Sequence, residues 1–226
     1  LNTELSNDDI SRSVWGEIIS AADNHNEPGQ FTAFMGWEWR STPGGANLHR
    51  VIIMREGREK GEQLIPYTAL DSDTPEALLS WLDNTSNKIG ANFIAIPHNS
   101  NISQCLMFPL QDSEGNLVTK EYAETRMKHE PIVEMTQIKG DSETHPNLSP
   151  TDEFADYETF DHLISVEGAE AKSLFSDGFL GQLSEQDREL VLKNQKHIAK
   201  AGDYARSALK RGLVIEDRLG ANPYKF

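Results

Sequence analysis

Apolar residues recur at helical spacing over residues 9–25. Ile10, Val14, Ile18 and Ile19 form one stripe, Asp8 or Asp9 is placed to cap the first turn, and Asn26-Glu27-Pro28-Gly29 stops the helix. The pattern switches to strand over Phe31–Arg40 and, after a break at Thr42-Pro43-Gly44-Gly45, again over Asn47–Met54, so the pair predicts a wide hairpin. Thr74-Pro75-Glu76-Ala77 opens a second helix running to about Asn84, with Pro75 at the first helical position. Asn92–Pro97 and Pro131–Ile138 are short, mostly apolar runs of the kind found in strands buried on both faces. The polar stretch between them carries a helix over Thr119–Lys128. Helical patterns over Ser184–Ala201 and Asp203–Arg211 follow. Buried strands alternating with helices predict an α/β chain of βαβ units with mainly parallel strands, as a single domain over 1–226. The acidic segment 139–183, with its prolines and glycines, is longer than a connection needs and reads as a loop or insertion on the functional side.

Composition narrows the chemistry. Thirty-six acidic against 21 basic residues give a formal charge of −15, which excludes nucleic-acid binding through a basic patch. It does not exclude small phosphorylated or sulfated substrates, because a bound metal reverses the local field. Cys105 is the single cysteine, so intramolecular disulfides and cysteine zinc clusters are out, and any metal is held by histidines and carboxylates. No apolar run approaches the ~20 residues of a membrane span. The compartment stays open between a cytoplasmic and a periplasmic or secreted location.

In parallel α/β folds functional groups gather where strands end. Glu38 ends its strand between two tryptophans, His98 follows Ile96-Pro97, and Glu134 lies between Val133 and Met135. A carboxylate buried without a partner is very costly. Each of the three therefore either pairs with an arginine, a lysine or a backbone donor, or holds a metal. Imidazole and carboxylate together suit zinc, manganese or iron. His49, near the start of its strand, is a fourth residue of ligand type. Lys139, Asp141, Glu143 and His145 fall within seven residues directly after the Glu134 run, either as a solvated loop or as groups for substrate or metal. Asn99, Ser100 and Asn101 are placed beside His98 to orient a ligand. The Trp37/Trp39 pair is expected on the outer face. His25, His129, His162 and His197 read as structural or surface groups. There is no P-loop, no paired-glycine dinucleotide fingerprint and no Gly-x-Ser-x-Gly elbow.

Phe34-Met-Gly-Trp-Glu-Trp39, Pro43-Gly-Gly-Ala-Asn-Leu-His-Arg50, Ile96-Pro-His-Asn99, Glu130-Pro-Ile-Val-Glu-Met135 and Lys139-Gly-Asp-Ser-Glu-Thr-His-Pro146 resemble a bacterial family called domain of unknown function 3604. Ser149-Pro-Thr-Asp-Glu-Phe-Ala-Asp156 and Leu219-Gly-Ala-Asn-Pro-Tyr-Lys-Phe226 extend the resemblance over nearly the whole chain. The family is related to the PHP (polymerase and histidinol phosphatase) superfamily. That relationship implies a distorted, TIM-barrel-like (β/α) barrel with two or three metals and phosphoesterase-type chemistry. It also implies metal roles for Glu38 in Gly36-Trp-Glu38, for His49 and for His98, and a more variable role for Glu134. The superfamily's opening His-x-His, an Asp-His soon after it and its late Asp-x-His are not found here; the Asp161-His162 pair stands far down the chain and follows no His-x-His. The resemblance thus implies a barrel incomplete at both ends, an internal fragment whose own metal site is incomplete, and open strand edges that a homo-oligomer covers.

The function expected of the intact protein is metal-dependent hydrolysis of a small anionic ester, with Lys139, Glu143 and His145 as candidates for binding the anion or assisting the leaving group. The alternative is a non-catalytic ligand-binding or interaction domain in which the same residues are structural polar groups.

Overall fold

The computed structural model describes residues 7–159 and 200–226; residues 160–183 of the expected loop or insertion and all but Lys200 and Ala201 of the expected helix over Ser184–Ala201 lie outside them. Chain order is helix α1 (Asn7–His25), strand β1 (Met35–Trp39), strand β2 (Arg50–Met54), the short helix α2 (Arg58–Gly61), helix α3 (Pro75–Ile89), strand β3 (Phe93–Pro97), helix α4 (Lys120–His129), the two-residue strands β4 (Thr136–Gln137) and β5 (Gly140–Asp141), and helix α5 (Ala205–Leu219). Short 3-10 turns lie at Pro43–Gly45, Ser100–Ile102 and Ala201–Asp203.

The sheet corrects the expected architecture. β1, β2 and β3 form one three-stranded sheet in that order, and β4 and β5 form a second; every pair is antiparallel. Among the described residues there is no parallel pair and no closed barrel, so the chain is a mixed α/β fold and not a parallel, TIM-like one. The β1–β2 hairpin does form, with Glu38 opposite Val51 and Trp39 opposite Arg50. The long β2–β3 connection also returns antiparallel, pairing Arg50 with Pro97 and Met54 with Phe93. The run 131–138 supplies only the two residues of β4, so Glu134 is not inside a strand. Its backbone N–H instead donates to the Pro97 carbonyl at the end of β3 (3.0 Å). Among the described residues no helix is long and apolar enough to cross a membrane.

Strand alternation decides which face is core. Met35, Trp37 and Trp39 on β1 share a face with Ile52 and Met54 on β2 and with Phe93 and Ala95 on β3, and α1 and α3 pack on it. Trp39 is fully buried and Trp37 stands edge-on to Trp15, Trp81 and Phe93, so the tryptophan pair faces the core and not outward. α3 brings Leu78, Leu79 and Leu82, each essentially sealed from solvent; full burial of such a side chain stabilises by roughly 1.5–3 kcal/mol. Pro75 sits in its first turn, and Gly90, at φ 69°, ends it in the left-handed conformation that lacks a steric penalty only for glycine. On α1 the buried residues are Trp15 and Ile19, while Ile10, Val14 and Ile18 stay 40–53% exposed. The Trp15 indole donates to the Gly61 carbonyl (2.9 Å), and this hydrogen bond together with its ring contact to Trp37 sets the rotation of the helix. Gly36 is obligatory for a different reason: a Cβ there would lie 2.5 Å from the Ile52 carbonyl oxygen across the sheet.

A second core joins Met107, Phe108 and Val118 to Ala208 and Ile215 of α5 and to Tyr224. Asp203 lies in its 3-10 turn beside this core, 1% exposed, with its carboxylate accepting from the Ser103 hydroxyl (2.8 Å) and the Cys105 N–H. Burial raises its pKa from the ordinary 3.8 to about 6, against the effect of those hydrogen bonds. The folded state therefore binds this proton more tightly than the unfolded chain. Its stabilising contribution is full below about pH 4 and is lost as pH rises through about 6. A shift of this size corresponds to about 3 kcal/mol. Asp203→Asn is expected to flatten this part of the stability profile between pH 4 and 6.5, read from urea midpoints; an unchanged slope would contradict the assignment.

Candidate metal centre

The face of the sheet opposite the core carries Glu38, Val51 and Ile96 in one row across the three strands. Two residues further along the same face, alternation places His49 just before β2 and His98 just after β3, level with each other, with the His98 N–H directed at the His49 carbonyl (3.4 Å). Glu38 reaches them diagonally. Its Oε1 is 3.2 Å from His49 Nδ1 and 3.0 Å from His98 Nε2, and the imidazole rings stand edge-on with centroids 5.7 Å apart. One ligand atom from each of the three residues lies within 4.8 Å of the others. Tetrahedral donors at about 2.0–2.1 Å from a zinc ion stand about 3.3 Å apart, so the two Glu38 contacts have the spacing of such a sphere. The donor set, two imidazoles and one carboxylate, fits a divalent ion.

The electrostatics are asymmetric. Both histidine side chains are nearly sealed from solvent, whereas the Glu38 side chain is 42% exposed. Burial pushes the His49 pKa down from 6.5 to about 4; the Glu38 charge works the other way, and His98, Arg40 and Lys139 each add to the lowering. At neutral pH His49 is therefore a neutral imidazole with a lone pair to give. Its other nitrogen, Nε2, is 3.1 Å from the Thr42 hydroxyl. The His49 N–H donates to Asn47 Oδ1 (3.2 Å), which fixes the backbone from which the ring projects.

Of the sequence candidates, Glu38, His49 and His98 come together in this cluster and Glu134 does not; Glu134 Oε2 instead accepts from Gln137 Nε2 (2.9 Å). Lys139 lies close enough for its charge to act on His49, and its carbonyl is held by Asn101 Nδ2 (2.8 Å). Glu143 is engaged by Arg206 of α5 (2.7 Å), which also binds Asp152 and so ties the 141–152 loop to that helix. His145 is buried beside the Tyr204 ring, centroid to centroid 6.0 Å, and its Nδ1 accepts from the Asn147 N–H (3.2 Å). Asn101 binds Ser142 through its side chain (3.1 Å), while Asn99 Oδ1 and Ser100 Oγ are buried without a hydrogen-bond partner among the described residues. Of the remaining histidines, His25 bonds the Ala21 carbonyl within α1 and His129 is buried against the Phe93 carbonyl; His162 and His197 lie outside the described residues.

Sequence reasoning missed Thr42 and Arg40. Thr42 was legible only as the edge of a turn, and Arg40 only as the polar end of a strand. It also missed the support behind the cluster. Arg50, next to His49, donates through Nε to Glu130 Oε1 (3.0 Å), Arg126 binds Glu130 Oε2 (2.7 Å), and all three side chains are fully buried. The signal available was an arginine at a core position of an apolar strand.

No curated protein and no solved structure matches the chain. The family model described as Protein of unknown function (DUF3604) matches residues 1–226, and the chain belongs to that family.

Proposed function

We propose that the chain carries the metal-holding part of a metal-dependent hydrolase that cleaves a small anionic ester, a phosphate or a related ester, with metal-activated water. The observation behind this reading is the convergence of Glu38, His49 and His98 at 3.0 and 3.2 Å. Two imidazoles and one carboxylate leave coordination positions for water and substrate, as catalytic rather than closed structural sites do. A zinc, manganese or iron ion held there lowers the pKa of bound water and polarises the ester oxygen. The positive charges of Arg40 and Lys139 beside His49 favour an anionic group in a chain that is otherwise strongly acidic. The motif resemblance to PHP hydrolases supports the same chemistry at the level of these three residues, without a barrel.

A second reading rests on the same contacts. With both histidines donating to Glu38, the cluster is satisfied without an ion, as in a ligand-binding domain with a structural polar face. Hydrolysis of a panel of phosphate and sulfate monoesters and diesters, with zinc, manganese or iron(II), separates the two. Ester cleavage that requires the ion and vanishes in His98→Ala is expected. Cleavage indifferent to chelator would contradict hydrolysis at this centre, and an ion bound without turnover on any ester would favour the binding reading.

A further inference from the structure

We propose that Thr42 is a positioning residue for His49, its hydroxyl holding Nε2 so that Nδ1 is presented to the side shared by Glu38 and His98. The inference rests on reading those three residues as a metal centre. The geometry is a chain of contacts: Thr42 Oγ1 to His49 Nε2 at 3.1 Å, His49 Nδ1 to Glu38 Oε1 at 3.2 Å, and Glu38 Oε1 to His98 Nε2 at 3.0 Å.

A carboxylate accepts and cannot donate. Without an ion, the neutral His49 ring carries its proton on Nδ1 toward Glu38, and Nε2 accepts from the Thr42 hydroxyl. When Nδ1 gives its lone pair to an ion, the proton must sit on Nε2, and the same hydroxyl becomes the acceptor. A hydroxyl serves both tautomers by turning about one bond, which a backbone carbonyl or an ammonium cannot do. The group bonded to a ligating imidazole's remote nitrogen sets its tautomer and ring orientation.

The local chain is built to hold Thr42 there. Ser41 is pinned on both sides, its hydroxyl to the Asp73 carbonyl (2.6 Å) and its carbonyl to the Leu48 N–H (3.0 Å). Thr42 then enters the Pro43–Gly45 turn, where Gly44 and Gly45 take positive φ (57° and 84°) and the Gly45 N–H closes back on the Thr42 carbonyl (3.2 Å). Thr42 itself is exposed, with its hydroxyl turned to the buried ring. Its substitution therefore removes one contact to His49 and little packing, so a loss of metal affinity is separable from a loss of fold.

The test compares the whole chain with Thr42→Val and Thr42→Ser, measuring zinc affinity by competition with a chromophoric chelator. The imidazole nitrogens are followed by long-range proton–nitrogen NMR with and without zinc. The expected result is 10–100-fold weaker zinc binding in Thr42→Val, the range for loss of a group behind a ligand. Affinity returns in Thr42→Ser, and the melting temperature of the metal-free protein is unchanged in both variants. On zinc addition to the unsubstituted chain, the His49 proton moves from Nδ1 to Nε2. Equal zinc affinity in Thr42→Val and the unsubstituted chain would overturn the role of Thr42 and leave the metal centre standing. Failure of the unsubstituted chain to bind zinc would overturn both.

Discussion

Glu130→Ala is expected to destabilise the chain by about 3–5 kcal/mol, the cost of stranding buried charge when one partner of an ion pair is removed. Arg50 and Arg126 are both fully buried, and Glu130 is the carboxylate between them. Burial alone would raise the Glu130 pKa, but the charges of Arg126 and Arg50 more than offset this and hold the carboxyl below its ordinary range. The arginines have further partners. Arg50 lies over the Trp39 ring (5.7 Å) and donates to the Leu48 carbonyl; Arg126 lies over the Tyr224 ring (4.7 Å) and donates to the Met107 carbonyl (2.9 Å). These contacts position the arginines without neutralising them, so the loss of Glu130 is not absorbed locally. The triad ties β2 to α4 and, through Tyr224, to the second core, so the damage should spread across the cooperative unit. For a chain of this size the melting temperature should fall by roughly 6–20 °C. Replacing all three residues together (Arg50→Met, Arg126→Met, Glu130→Leu) should cost less than Glu130→Ala alone, since it leaves no charge behind. Urea unfolding of both variants checks the claim, and a Glu130→Ala loss under about 1 kcal/mol would show that water reaches the triad.

The second large effect concerns the proposed metal ion. Glu38→Gln keeps the shape of the side chain and an oxygen that accepts from the histidines, but removes the negative charge from the donor set. Loss of a group one shell behind the metal costs 10–100-fold, so loss of a ligand charge is expected to weaken zinc or manganese binding by about 100-fold or more. Stability of the metal-free protein should change by no more than about 0.5 kcal/mol, because the Glu38 side chain is 42% exposed. Isothermal titration with each ion, alongside thermal unfolding of the metal-free proteins, separates the two effects. Unchanged ion affinity with lowered stability would place Glu38 in a structural polar cluster.

Much of the local structure was legible in the pattern of side chains. The hairpin of β1 and β2, the start of α3 at Pro75 and the position of α4 all follow from periodicity and turn residues. Strand direction was not legible. Asn92–Pro97 is apolar because Phe93 and Ala95 face the core while Ile94 and Ile96 are half-buried on the other face, and that composition is the same whichever way the strand runs. Nor did the sequence reveal that α1 would bury Trp15 and leave Val14 outside, since a partner surface and not the helix's own period decides its rotation. At the site, Glu38, His49 and His98 stood out as ligand-type residues at strand ends, and their convergence needs only the register of three strands. Glu134 stood out by the same reasoning but lies in a segment beside β3 that does not pair as a strand. Thr42, Arg126 and Glu130 act through contacts that only the tertiary fold creates.

The most direct test of the central claim is the metal content of the purified chain after dialysis against zinc, measured by elemental mass spectrometry beside His98→Ala. The account predicts close to one tightly held ion per chain, lost in the variant while the fold persists by circular dichroism. No retained ion in either protein, or the same content in both, would contradict a metal centre at Glu38, His49 and His98.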